Sequence, residues 1–150
     1  MSRIISIRGQ VTESGQVTIP IATIDGMQGY VIRKFEVMST DPNESIESAI
    51  KIYAVEQTTV DQIVDFSDQS LLGVCLIWQS TAQADVHESS VIFDNVTFNQ
   101  DIFITNKAIA PSTATLNYHI EIEKRSLDIS EQTVATLKDI RNVVARNTVV

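Results

Sequence analysis

At 150 residues the chain has room for one compact core and is short for two. Hydrophobic residues make up 43% of it and aromatics only 6%, which argues against intrinsic disorder and for a core of Ile, Val and Leu. A net charge of −8 disfavours nucleic acid as a partner, because an acidic surface repels phosphate backbones.

The first strand candidate is Arg3-Ile4-Ile5-Ser6-Ile7. Gly15 to Ile21 places Val17, Ile19 and Ile21 on one face. Pro20 lacks an N–H, so that strand should lie at an edge or end soon after. Asp25-Gly26 and Gln28-Gly29 are turn signals. Tyr30 to Met38 reads as a long strand, and Thr40-Asp41-Pro42-Asn43 as a loop. Ser48 to Val55 puts Ile50 and Ile52 on one face, with Lys51 and Tyr53 on the other.

Val60 to Asp68 reads as a helical turn or structured loop leading into Leu71 to Gln79. That next run is nearly all apolar, as expected at the centre of a sandwich, and Trp78 ends it facing inward. Polar Ser80 to Ser90 is expected to be a loop, and Val91 to Asn95 and Asp101 to Thr105 short strands. Ala110-Pro111-Ser112 is a turn. Ala114 to Glu123 is the cleanest alternation: Leu116, Tyr118, Ile120 and Ile122 share one face, and Asn117, His119, Glu121 and Glu123 the other.

From about Ser130 the period becomes helical, with Val134, Leu137, Ile140 and Val144 at three- and four-residue steps. Asp128-Ile129-Ser130-Glu131 fits a capping box, with Asp128 or Ser130 as N-cap. The fold expected is mainly β: one domain over 1–150, an antiparallel β-sandwich or jelly-roll-like body over about 3–125, and a C-terminal amphipathic α-helix over about 130–146. The apolar stripe of that helix is narrow. It packs either on its own sheet or against a neighbouring subunit, which makes Val134, Leu137, Ile140 and Val144 the candidate subunit interface.

Charge is unevenly placed. Residues 1–38 and 102–150 each sum to +1, whereas 39–101 sum to −10, with eleven acids against the single base Lys51. Such a tract is either a solubilising face or a surface for docking onto a basic partner. The one cysteine, Cys75, allows no intrachain disulfide and reads as a buried thiol. Met1 to Arg8 carries no long apolar region, and no stretch approaches the roughly 18 apolar residues that span a bilayer. Folding in a reducing cytoplasm, without a membrane partner, is the expectation.

Candidate chemistry is sparse. His87 and His119 could share a metal with Asp85 or Glu121, but no ligand spacing supports it, and surface histidines are the simpler reading. Asp61, Asp65 and Asp68 would share a face of a helical turn, yet no EF-hand pattern surrounds them; they read better as cap and turn acids. No nucleophile elbow and no Gly-rich phosphate loop occur, and the five glycines are scattered singly. The sequence therefore predicts no catalytic residue, no metal and no cofactor.

Several stretches in order resemble small virion proteins of marine tailed bacteriophages. They are Gly29 to Lys34, Ile50 to Tyr53, Val64 to Leu72, Ile92 to Asn95, Phe98 to Thr105, Asn117 to Ile122 and Thr136 to Asn142. The resemblance spans roughly residues 28–145. It implies a non-enzymatic structural role in the virion, assembled in the host cytoplasm, and carries over no functional residue. A capsid decoration or cement protein on the major capsid protein is the favoured expectation. A head fibre, neck or tail component, or a receptor- or glycan-binding module, is the alternative. Symmetric homo-oligomers, trimers among them, would suit such a part.

Overall fold

The computed structural model describes residues 3–21, 28–80, 86–109 and 113–126, with 86–88 described as backbone alone. These residues form eight strands: β1 (Arg3–Val11), β2 (Gln16–Ile19), β3 (Gln28–Ser39), β4 (Ile46–Tyr53), β5 (Leu71–Ser80), β6 (Val86–Phe93), β7 (Ile102–Ala108) and β8 (Leu116–Ser126). They build two antiparallel sheets, a three-stranded one in the order β1-β8-β3 and a five-stranded one in the order β2-β7-β4-β5-β6.

Side-chain alternation fixes which face of each strand turns inward. In the three-stranded sheet Leu116, Tyr118, Ile120 and Ile122 are buried along β8, opposite Val11, Gly9, Ile7 and Ile5 of β1. On β3 the pattern skips a residue. Arg33 is the extra residue of a β-bulge between Ile32 and Lys34, so Ile32 and Phe35 both reach the core though three apart. The five-stranded sheet supplies Ile46, Ile50, Ile52, Cys75, Ile77, Ile102 and Ile104 to the same core. This is the Ile- and Val-dominated interior that the composition anticipates.

One glycine is required by packing. Gly9 lies opposite Tyr118, and a Cβ there would stand 2.4 Å from the Tyr118 hydroxyl oxygen. The phenol ring lies where the Gly9 side chain would be, and burial pushes its pKa up. The turn between β1 and β2 carries Ser14 at a positive φ of 59°, with Gly15 N–H donating to Thr12 O.

Three expectations need correction. Gln28-Gly29 is not a turn: β3 begins at Gln28, and Gly29 pairs with Arg125 of β8. The polar stretch Ser80 to Ser90 is not simply a loop: β5 runs through Ser80, and β6 begins at Val86. Polar residues suit β6 because it is an edge strand with one neighbour. Trp78 faces outward and is 37% exposed. Cys75 and Ile77 point into the core, so the period-two pleat turns Leu76 and Trp78 out; the nearly continuous apolar run of β5 hides this alternation. Pro20 does follow an edge strand that ends at Ile19. The turns at Asp25-Gly26 and Ala110-Pro111-Ser112, and the helix over about 130–146 with Val134, Leu137, Ile140 and Val144, lie outside the described residues.

Cys75 is fully buried in β5, and desolvation pushes its pKa up to about 11. Native protein at pH near 8 should therefore leave the thiol unmodified by an aromatic disulfide reagent until unfolding exposes it. The folded pKa lies above the ordinary value of 9.0, so the native state holds its proton where the unfolded state has lost it. Stability should be level below about pH 8 and fall by about 2–3 kcal/mol as pH rises towards 11. Urea midpoints across that range should show the fall, and Cys75→Ala should flatten it to the part contributed by Tyr118.

Candidate functional site

The outer face of the three-stranded sheet is charged. Register places His119 of β8 between Arg8 of β1 and Glu36 of β3. His119 Nε2 stands 3.5 Å from Glu121 Oε1, Lys34 pairs with Glu36 at 3.5 Å, and Arg33 pairs with Glu123. An open groove of about 970 Å³ runs over this face, and Ser89 and Val91 of β6 also border it. Arg8, Arg33, Lys34 and Arg125 face Glu36, Glu121 and Glu123, so the face carries charges of both signs.

The two histidines, for which the sequence offers no ligand spacing, lie on different sheets. His119 and Glu121 are neighbours on the three-stranded sheet, whereas His87 lies on β6 of the other sheet, opposite Gln79. Asp85 lies outside the described residues. Among the described residues no group of three His, Cys, Asp or Glu side chains could hold a metal ion.

The three aspartates also go separate ways. Asp65 Oδ1 accepts from the Ser67 hydroxyl at 2.5 Å and the Ser67 N–H at 2.9 Å, and these bonds hold its carboxyl below the usual range. Asp68 Oδ1 does the same with Ser70, at 2.6 and 2.9 Å. Each closes its own turn, the role expected of an Asp-x-Ser sequence. No helix forms over Val60 to Asp68.

Asp61 instead meets Lys51. The Lys51 side chain leaves the outer face of β4 yet is only 1% exposed. Its Nζ donates to Asp61 Oδ1 at 2.8 Å and to Ile63 O at 2.7 Å, and it stands 5.3 Å from the Tyr53 ring centroid. The loop after β4 thus lies over the middle of the five-stranded sheet, where Lys51, Tyr53 and Val74 are buried on outward-facing positions. Alternation alone places Lys51 and Tyr53 in solvent. The one signal against that is a lone base in a tract of acids.

Beyond the reach of this loop the outer face is bare. Leu76 and Trp78 of β5 and Ile92 of β6 are 47%, 37% and 54% exposed. Leu76 pairs with Ser90, and Val74 with Ile92, so the three apolar side chains occupy adjacent outward positions. Exposed Glu47 of β4 stands opposite Trp78, and Asp94 follows β6. Ile63 and Phe66, on the covering loop, are also largely exposed. This is an apolar strip flanked by Glu47 and Asp94.

No protein-family model matches the chain, and no curated protein matches it. Among solved structures it is similar to the crystal structure of Yersinia pseudotuberculosis-derived mitogen, at 14% sequence identity and a TM-score of 0.34. The match covers 86% of this chain and 89% of that one. So loose a superposition transfers neither fold detail nor activity.

Proposed function

We propose that the chain is a non-enzymatic structural protein of a tailed-phage particle, seated on the outer surface of the head as a decoration or cement protein. The observation that supports this reading best is the apolar strip of Leu76, Trp78 and Ile92. Contiguous apolar side chains on an outer sheet face mark a contact with another protein. The ordered resemblance to phage virion proteins supplies the setting. We read the strand order, β1-β8-β3 against β2-β7-β4-β5, as a jelly roll whose sixth strand has joined β5. Self-association through Val134, Leu137, Ile140 and Val144 of the C-terminal segment belongs to the same reading.

Particles of a phage encoding this chain, purified on a density gradient, should contain it in fixed proportion to the major capsid protein by quantitative mass spectrometry. A chain found only in the soluble lysate would overturn the reading. A fixed copy number matched to the neck or tail would move it to the head-fibre, neck or tail alternative.

The outward position of Trp78 favours a second reading, a glycan-binding module, because exposed aromatic rings stack on sugars. Glu47, opposite Trp78 on β4, can accept from a sugar hydroxyl, whereas Leu76, next to it on the same face of β5, offers none. A glycan array showing saturable binding lost on Trp78→Ala would select it over the first.

A further inference from the structure

We propose that the outer face of β5 and β6 docks a protein surface that is both basic and apolar. Residues 39–101 include β4, β5 and β6, three adjacent strands of the five-stranded sheet. Of the eleven acids in that tract, Glu47 lies on β4 and Glu88 on β6, and the other nine fall between the strands in sequence. The only base in that tract is Lys51, and it is sequestered against Asp61 beneath the covering loop. The next base along the sheet is Lys107, opposite Ala49 on β7. It turns towards the β1–β2 turn, with Nζ 2.8 Å from Ser14 Oγ and 3.3 Å from Glu13.

Glu47, opposite Trp78, and Asp94, two residues after Ile92, flank the strip, and no base among the described residues pairs with a strip residue in register. Apolar contact supplies the attraction, and the acids select the partner: a surface bearing lysine or arginine among aliphatic side chains. A second copy fits less well. The broadest polar face this chain could offer itself, the outer side of the three-stranded sheet, has Arg33 paired with Glu123 and Lys34 with Glu36, which leaves less cationic surface for the strip. The inference goes beyond the virion reading and does not need it, although both use the same strip.

The chain carries one tryptophan, and it stands in the strip, so its emission reports occupancy directly. A synthetic peptide of alternating leucine and lysine is titrated against the full chain, with its leucine–glutamate counterpart as control. The lysine peptide should shift Trp78 emission to the blue, and raising salt from about 0.05 M to about 0.5 M should weaken binding at least about tenfold. Glu47→Lys and Leu76→Ser should each weaken it about tenfold while circular dichroism shows the fold retained. The inference is overturned by unchanged emission, by an equal response to the glutamate peptide, or by folded variants that bind as the parent does. A blue shift of the chain alone that grows with its own concentration would assign the face to a second copy and overturn it too. Particle composition, not this titration, decides the virion reading.

Discussion

Asn106→Asp should destabilise the chain by more than about 4 kcal/mol at neutral pH, a large share of the stability of an ordinary domain. Asn106 lies on β7, is fully buried, and holds three segments together. Its Nδ2 donates to Val11 O at 3.2 Å and to Ala114 O at 3.1 Å, and its backbone N–H donates to Gly15 O at 3.2 Å. The end of β1 and the approach to β8 thus meet at the Asn106 side-chain amide, and the turn into β2 at its backbone N–H. Aspartate has the same shape but replaces the donor group with oxygen, aiming a buried carboxylate at two carbonyl oxygens. Asn106→Leu removes the donor without adding charge and should cost less, about 1–3 kcal/mol. The aspartate variant should also recover as pH falls, because burial raises its folded pKa and the protonated acid can donate once more. Urea denaturation of both variants at acid and neutral pH measures all three expectations.

Asp61→Ala should cost about 3 kcal/mol, because it leaves the buried Lys51 ammonium with a carbonyl and a ring as its partners. Asp61 itself is 46% exposed, so water can reach the site in part, which places the cost at the low end for a broken buried pair. Lys51→Met tests the same contact from the other side. It removes the charge, keeps the volume, and leaves Asp61 half-exposed and still accepting from the Ile63 N–H, so it should stay within about 1 kcal/mol of the parent. Combining the two should recover most of the loss caused by Asp61→Ala alone, which a double-mutant cycle in urea would show. Limited proteolysis in the loop after β4 should rise in the alanine variant, since Lys51 ties that loop to the sheet at both Asp61 and Ile63.

The core was legible because two-residue alternation marks the inward residues of β8 and β4; in β3 the Arg33 bulge breaks it. It failed in β5, where an apolar run reads the same on both faces, and Trp78 was assigned to the wrong side. It failed again at β6, whose polar Val86 to Ser90 half resembles a loop because an edge strand tolerates polarity. Lys51 was missed for a different reason. Its burial depends on a loop whose path no local pattern encodes, folding back from Asp61 and Ile63. The charge count was legible as a number and not as a surface: of the eleven acids in 39–101, only Glu47 and Glu88 lie on β4, β5 and β6, and the rest fall between strands.

The claim that this chain is a structural part seated on a phage head through its acidic, apolar face is tested most directly by a density map of the particle that encodes it. The map should place the chain on the outside of the shell, with Leu76, Trp78 and Ile92 against a lysine- or arginine-bearing surface of the major capsid protein. A particle without the chain, or a bound chain with that strip turned to solvent, would contradict the account.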